Sequence, residues 1–276
     1  MKSASILFFI LLVLSLLPLA AEAGLSDLSI ESGPRQGQSL MSVVSEKVPA
    51  RAVREAFAFF DKYQGQSRSA LMYSIGPIAP KLQGYQCDNT GVDCKTKTVI
   101  QQLFQNKQFI VIFDLNETSM KPRLHIVNLG TGEVKSLFAA HGKQSTCPKD
   151  PTRACKFISD RDSEASPLGF FLTGEVFFGE VGWTVEMSGL QGAALGATRN
   201  DVPTTIVMHG AAYASPEFRR TRGFMGRSYG CPALSYDDIR MWKDRLSKGA
   251  LFYFFHNSLP TTAAPASSIL SPLKAG

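Results

Sequence analysis

A thiol–imidazole pair is the first chemistry that the sequence suggests. His209 ends the apolar segment TTIVMHG, and Cys231 follows in the turn RSYGC. A thiol attacks as its thiolate, and a neighbouring imidazole can accept its proton and later return it to a leaving group. Gly230 leaves room for a substrate backbone, and the amides of such a turn can stabilise an oxyanion. We expect acyl transfer with Cys231 as nucleophile and His209 as base; the alternative is an inert, buried thiol.

The order of His209 and Cys231 along the chain argues against some classes of cysteine enzyme. Papain-like proteases place the cysteine before the histidine, whereas His209 precedes Cys231 here. Sortases share the histidine-first order, but their cysteine ends a strand and an essential arginine follows on another strand. The chain has no H-E-x-x-H or similar ligand spacing, so no metal is expected. The chemistry of the pair also requires no cofactor.

The other four cysteines form two close pairs within polar loops, Cys87 with Cys94 and Cys147 with Cys155. In an exported protein such spacing favours two local disulfides, with Cys231 outside both. A zinc site is the alternative. The gaps of six and seven residues are wider than structural zinc normally uses.

The first residues are typical of a cleaved secretory signal. An apolar run from Ile6 to Leu19 follows Lys2 and leads to Ala21-Glu22-Ala23. Its 14 residues are short for a membrane span of about 20 residues. We expect residues 1–23 to be removed and the mature protein to reach the periplasm or the extracellular space without stable membrane insertion. An uncleaved N-terminal anchor is the alternative.

The formal charge of +6 suits anionic envelope surfaces. The lysines and arginines are scattered rather than clustered with aromatic residues, which argues against a nucleic-acid partner. The sequence leaves the oligomeric state open.

Residues 109–258 predict a mainly β (α+β) catalytic domain around the pair. Ser235, with Asp238 three residues later, predicts the start of a helix directly after the Cys231 turn, with Gly249 beyond its end. The predicted strands include FIVIFDL, the hairpin of LHIVNL and VKSLFAAHG, TTIVMHG, and the final ALFYFF.

Two further regions flank this domain. Residues 24–108 predict an N-terminal extension, with an extended leader from Leu25 to Val48 and a helix from Pro49 to Tyr63. Residues 259–276 are rich in Thr, Ala, Pro and Ser and predict a disordered tail.

The layout resembles the murein L,D-transpeptidase (YkuD-type) catalytic domain family. Its signature is His-Gly at a strand end, a spacer, and Ser/Thr-x-Gly-Cys; here 18 residues separate His209 from Ser228. The resemblance covers roughly Phe109 to His256, and implies a β-sandwich or barrel with a helix after the cysteine loop. Its motifs are HGKQS at 141–145, SPLGFF at 166–171 and GRSYGCPAL at 226–234.

The resemblance also implies roles for individual residues. Cys231 would be the nucleophile, and His209 the base and later the acid. Ser228 would help orient His209, and the backbone of Gly230 and Cys231 would line an oxyanion hole. The candidates for substrate contact are Gly210, Tyr213, Arg227, Tyr229 and His141.

Several of these assignments have alternatives. Arg227 could bind a stem-peptide carboxylate or be a solvated charge. Tyr229 and Ala233 replace the His and the polar residue that many members carry there, which leaves the acceptor open. We expect His125 and His256 to be surface residues.

The implied partner is the peptidoglycan stem peptide. Cys231 would attack the carbonyl at the L-centre of diaminopimelate in a tetrapeptide stem, and an amine would resolve the thioester. If water resolves it, the enzyme is an L,D-carboxypeptidase or another cell-wall peptide hydrolase. A non-catalytic wall-binding module is the third alternative.

Overall fold

A computed structural model of the protein describes residues 25, 38–74, 95–160, 163–179, 181–191, 194 and 206–260; for 69–74 and 95–99 it describes the backbone alone. The predicted signal, the Cys87–Cys94 pair and the tail beyond residue 260 lie outside these ranges. Within them, no helix combines the length and the hydropathy that a membrane span requires.

Strands hold more of the described residues than helices do, and the helices lie between and around them. The helices are α1 Leu40–Ser45, α2 Ala50–Tyr63, α3 Pro216–Arg222 and α4 Tyr236–Leu246. The strands are β1 Ser67–Ser74, β2 Lys95–Gln102, β3 Phe109–Asp114, β4 Leu124–Asn128, β5 Val134–Leu137, β6 Thr146–Cys147, β7 Asp150–Ala154, β8 Gly169–Gly179, β9 Gly182–Gly189, β10 Val207–Gly210, β11 Ala233–Leu234 and β12 Leu251–Phe255.

The principal sheet has eight strands in the order β11-β10-β9-β8-β12-β3-β4-β5. The pairs β12/β3 and β10/β11 are parallel, and the remaining neighbours are antiparallel. The last strand of the chain therefore lies in the middle of the sheet, where Leu251 pairs with Ile110 on one side and with Leu172 on the other. A mainly β fold with a few helices, as the sequence predicts, is confirmed.

The two central strands are buried on both faces. Every residue of β3 and of β12 is buried, which explains why FIVIFD and LFYFF are almost continuous apolar runs rather than alternating ones. Side chains of a strand point alternately to opposite faces. Accordingly, Ile110 and Ile112 pack with α2 in one core cluster, while Val111 and Phe113 pack with α4 in another.

Helix α2 forms part of the first core cluster. The Phe59 ring stacks on Phe170 of β8 at 3.9 Å between centroids. The Tyr253 hydroxyl of β12 donates a 2.5 Å hydrogen bond to Glu55 Oε2. The helix from Pro49 to Tyr63 that the sequence predicts is confirmed, and it lies directly on the central strands.

The leader prediction for Leu25 to Val48 is wrong in its last part, because Leu40–Ser45 is helical. Leu40, Val43 and Val44 are the buried residues of this helix, and Leu40 and Val44 belong to the first core cluster. A six-residue segment carries too few apolar positions for its helical period to be recognised.

Helix α4 follows the cysteine loop as predicted. Ser235 accepts a 3.1 Å hydrogen bond from the Asp238 amide and donates to its carboxylate at 2.7 Å, which confirms the capping arrangement. Ile239, Trp242 and Leu246 are its buried residues. A Cβ at Gly210 would lie 2.7 Å from atoms of Ile239 and Tyr236, so the glycine allows α4 to pack directly on β10.

Removing the Phe59 side chain, which packs between α2 and the sheet, tests how much α2 contributes to the stability of the domain. We expect Phe59→Ala to lower the free energy of unfolding by about 3–5 kcal/mol, since it removes a buried ring stacked on β8. Met241→Ala is the control, because this side chain is 61% exposed. Denaturant unfolding measures both, and an unchanged midpoint for Phe59→Ala would show that α2 is dispensable for the fold.

Candidate active site

The parallel pair β10/β11 brings the base and the thiol together at one end of the sheet. His209 pairs with Ala233, and Ala233 comes two residues after Cys231. The His209 amide donates to the Pro232 carbonyl at 3.3 Å. The Val207 amide lies 3.4 Å from Cys231 Sγ. The sequence-predicted pair thus occupies adjacent backbone segments of one small region.

The orientation of His209 is set by its own neighbour. Its Nδ1 lies 3.0 Å from the Gly210 carbonyl oxygen, which can only accept, so Nδ1 carries the proton and Nε2 is the basic nitrogen. His209 is buried, and burial lowers its pKa below the ordinary value. The imidazole is therefore neutral near pH 7 and able to accept a proton.

Cys231 is a buried thiol, 8% exposed. Burial raises its pKa from 9.0 to about 11, while the backbone amides of Val207 and Cys231 partly oppose that change. The resting site therefore contains a neutral thiol and a neutral imidazole on adjacent backbone segments. Such a pair reacts by general-base catalysis, in which the proton leaves sulfur as the sulfur attacks.

The nucleophile loop, residues 226–232, is hydrogen-bonded to the segment His141–Lys143. The Ser228 amide donates to the His141 carbonyl at 3.0 Å, and the Lys143 amide donates to the Ser228 carbonyl at 2.8 Å. This short parallel bridge gives a structural reason for the HGKQS motif, which supports the loop that carries the thiol.

Two buried serines, Ser145 and Ser166, form a hydrogen-bonded cradle under the same loop, which contains a third buried serine, Ser228. The Ser166 hydroxyl donates to the Gly230 carbonyl at 3.0 Å and accepts from the Gly142 amide at 2.9 Å. The Ser166 amide in turn donates to Ser145 Oγ at 2.8 Å. Ser166 begins the SPLGFF motif, so this motif also supports the nucleophile.

The Ser228 hydroxyl makes its hydrogen bonds within the loop, and the orienting role predicted for Ser228 stays a prediction. Its hydroxyl donates to the Cys231 carbonyl at 2.6 Å and accepts from the Gly230 amide at 3.1 Å. The hydroxyl therefore fixes the shape of the loop, and the Gly210 carbonyl orients His209. Gly210, predicted to contact substrate, instead supplies this carbonyl and the packing surface for α4.

Gly230 is required for backbone packing rather than for substrate approach. Its φ is +116°, and a Cβ there would lie 2.7 Å from the Ala165 carbonyl oxygen. Its amide donates to the Ser228 hydroxyl at 3.1 Å in this arrangement, and the oxyanion role expected for the backbone of Gly230 and Cys231 stays a prediction. Gly142 belongs to the same contact, since a Cβ there would lie 2.8 Å from Gly230 Cα.

Arg123 is a supporting residue that the sequence analysis missed. It is fully buried, and its guanidinium donates to the Ala139 carbonyl at 2.9 and 3.0 Å and to His141 Nδ1 at 2.7 Å. Burial lowers the pKa of His141 to about 3, with Arg123 and Arg227 as further causes. His141 is thus a neutral, buried ring, 1% exposed, and it supports the nucleophile loop instead of facing a substrate.

The remaining substrate candidates lie around the nucleophile loop. Tyr213 is half-buried, and its carbonyl accepts from the Gly226 amide at 2.9 Å. Burial, followed by the proximity of Cys231, raises the pKa of Tyr213. Tyr229 is 73% exposed, with Lys143 Nζ 5.5 Å from its ring centroid. Arg227 is exposed beside Phe224.

The predicted disulfide between Cys147 and Cys155 is present, with 5.1 Å between the Cα atoms. The Cys155 amide donates to the Ser145 carbonyl at 2.8 Å, so the ring that the disulfide closes is attached to the serine cradle. In the described part of the chain, no group of three or more His, Cys, Asp or Glu side chains is placed to hold a metal.

The surface position expected for His125 is wrong. His125 is 6% exposed, and its Nδ1 lies 2.8 Å from Ser136 Oγ on the neighbouring strand β5. A single polar residue within LHIVN gave no sign that both faces of β4 are covered. His256 is intermediate in exposure and hydrogen-bonds Ser258.

The neutral state of the pair predicts the pH dependence of thiol alkylation. With a pKa raised from 9.0 to about 11, Cys231 holds about a hundredfold less thiolate at neutral pH than an ordinary cysteine. We expect its iodoacetamide rate, followed by peptide mass, to keep rising from about pH 8 to about pH 11. A rate that levels off below about pH 7 would indicate a thiolate–imidazolium ion pair instead.

The serine cradle predicts a second effect on the same reaction. Ser166→Ala removes the hydroxyl that joins Gly142 to Gly230, so we expect the alkylation rate of Cys231 at fixed pH to change several-fold or more while the fold persists. Ser163→Ala is the matched control, since its hydroxyl makes only 3.4 Å contacts, to Ile158 and Ala165. Equal rates in both variants would show that the cradle does not position the thiol.

The chain is similar to several solved structures. They include the L,D-transpeptidase from Mycobacterium smegmatis (19% identity, 60% of this chain and 65% of that chain, TM-score 0.30) and L,D-transpeptidase 1 from Mycobacterium tuberculosis (15%, 60% and 68%, TM-score 0.28). A third is the helical cell shape determining protein of Campylobacter jejuni (15%, 54% and 48%, TM-score 0.32).

In these pairs the chain spans between 48% and 68% of the other protein's length. No protein of curated function shows significant sequence similarity to the chain. The sequence profile of the L,D-transpeptidase catalytic domain matches residues 85–255, which begins within the predicted N-terminal extension. Because this match covers more than half of the 276 residues, the chain belongs to the L,D-transpeptidase catalytic domain family.

Proposed function

We propose that the protein is an exported, cysteine-dependent L,D-transpeptidase that acts on peptidoglycan tetrapeptide stems through a thioester on Cys231. The observation that carries the proposal is the buried pair of Cys231 and His209, with the His209 ring held by the Gly210 carbonyl at 3.0 Å. Family membership supports the substrate class. The predicted signal at residues 1–23 and the Cys147–Cys155 disulfide support export.

The acylation step follows from the protonation state of the pair. Sγ of Cys231 attacks the carbonyl carbon at the L-centre of diaminopimelate, while Nε2 of His209 takes the thiol proton. The tetrahedral intermediate then collapses. Its C–N bond breaks, and His209 returns the proton to the departing amine of D-Ala. The product is a thioester between Cys231 and the tripeptide stem.

The second step reverses these roles. An amine, from a second stem or from a free D-amino acid, attacks the thioester carbonyl and gives its proton to His209 Nε2. The C–S bond breaks, and the proton returns to Cys231. The result is a 3–3 cross-link or an exchanged terminal residue.

Family membership, and not the surroundings of the thiol, favours an amine over water in this second step. Cys231 is 8% exposed and lies in a loop held by buried serines, which limits the approach of either acceptor. Ala233 lies in the sheet between His209 and Ala140 and is fully buried. The small residue after Pro232 therefore lies in the sheet and not on an exposed acceptor surface, whereas Tyr229 does lie at the surface.

The test is to incubate the purified mature protein with a tetrapeptide-bearing muropeptide and excess D-Met, and to identify the products by mass. We expect exchange of D-Ala for D-Met, or a 3–3 dimer. Cys231→Ala should abolish turnover. His209→Ala should reduce it by about 10²–10⁴-fold, because proton transfer is lost in both steps. His256→Ala, a histidine outside the site, is the matched control and should retain activity.

Two outcomes would contradict parts of the proposal. Accumulation of tripeptide alone, even at high D-Met, would make the protein an L,D-carboxypeptidase. Turnover by Cys231→Ala would refute the nucleophile, and absence of any product with intact thiol reactivity would favour a wall-binding module.

A further inference from the structure

The scattered distribution of arginines expected from the sequence is wrong for the segment between His209-Gly210 and Ser228, where positive charge is concentrated beside aromatic rings. Residues 211–227, here called the arginine arm, start directly after His209-Gly210 and end at Ser228, so both ends of the arm are fixed at the catalytic pair. The arm contains a single acidic residue, Glu217. Its cationic residues are Arg219, Arg220, Arg222 and Arg227.

Aromatic rings hold three of these guanidinium groups. Arg219 lies 3.3 Å from the ring centroid of Phe138. Arg222 and Arg227 lie over Phe218 and Phe224, at 6.0 and 5.6 Å. A guanidinium over a ring keeps its N–H edges available for a planar acceptor such as a carboxylate.

The arm is a structured part of the domain. Ser215 caps α3 through a 3.1 Å hydrogen bond from the Phe218 amide, and Gly223 ends the helix with a φ of +72°. A Cβ at Gly226 would lie 2.4 Å from Tyr213 Cβ, so the two ends of the arm pack tightly together. Ordered side chains lose less entropy when they bind.

The outer arginines lack protein carboxylate partners among the described residues. No ion pair there joins Arg220, Arg222 or Arg227 to an acidic side chain. All three are exposed. Arg219 differs from these three, because the nearby Asp238 carboxylate raises its pKa and partly opposes the effect of burial. The positive charge on the outer face of the arm is therefore available to bind an anion that is not part of the protein.

We propose that Arg222 and Arg227 of the arginine arm bind carboxylates of the peptide whose carbonyl Cys231 attacks. The identity of that peptide rests on the proposed function. A tetrapeptide stem carries a C-terminal carboxylate on D-Ala and further carboxylates along its length, and a guanidinium fork matches each of them. The arm would thus bind the acyl donor by its charge.

Binding of unreacted peptide tests this directly. Calorimetry with the Cys231→Ala protein compares the tetrapeptide with two analogues, one amidated at the C-terminus and one amidated at its internal carboxylates. We expect at least one analogue to bind about tenfold or more weakly, since amidation removes the charge-assisted hydrogen bonds to that carboxylate. Which analogue loses affinity identifies the carboxylate.

Variants of the arm give the second half of the test. We expect Arg222→Ala with Arg227→Ala to weaken the tetrapeptide by the same factor and to leave the amidated analogue unchanged. Arg54→Ala is the matched control, because Arg54 is an exposed arginine on α2. In the wild-type cysteine background, an unaltered iodoacetamide rate at Cys231 verifies that the arm variants keep the site intact.

The inference is overturned if acid and amidated peptides bind equally, or if the arm variants bind the tetrapeptide as Arg54→Ala does. Continued D-Met exchange by the wild-type protein in either case leaves the proposed function standing. Loss of both peptide binding and exchange in the wild-type protein would refute the function itself.

Discussion

The parallel pairing of β10 with β11 is the constraint on which the site depends. It sets His209 opposite Ala233, and so fixes the backbone of Cys231 next to that of Val207. The bridge between Ala140 and Ala233 and the bridge between Gly142 and Ser228 then hold the other side of the same loop. A nucleophile between two backbone ladders has little freedom to move, which is the preorganisation that acyl transfer requires.

Burial determines the chemical character of the pair. It raises the pKa of Cys231 and lowers that of His209, and both changes favour the neutral forms. In the proposed reaction the proton is transferred only during the attack, and the Gly210 carbonyl leaves Nε2 of His209 free to receive it. Burial also determines the contacts of Arg123 beneath the site. Two backbone carbonyls and the His141 ring accept hydrogen bonds from its guanidinium in place of the water that burial removes.

Much of the fold and the reactive pair could be predicted from the sequence, because apolar runs, the Ser235 cap and a His-Gly with Ser-x-Gly-Cys are local signals. Contacts between distant segments could not be predicted in this way. Ser166 and Gly230 are 64 residues apart, and neither residue type indicates its partner. The hydrogen bonds of Ser228 and Gly230 could not be predicted for the same reason: those of the Ser228 hydroxyl close within the loop, and the Gly230 carbonyl accepts from Ser166.

The central claim is that Cys231 becomes acylated by a stem peptide with loss of D-Ala. The most direct measurement is the intact mass of the protein after rapid acid quench during turnover of a tetrapeptide, with peptide mapping of the adduct. The account predicts a tripeptide acyl group on Cys231 that disappears when an amine acceptor is added. An unmodified protein mass under conditions that release D-Ala, or an adduct on another residue, would contradict it.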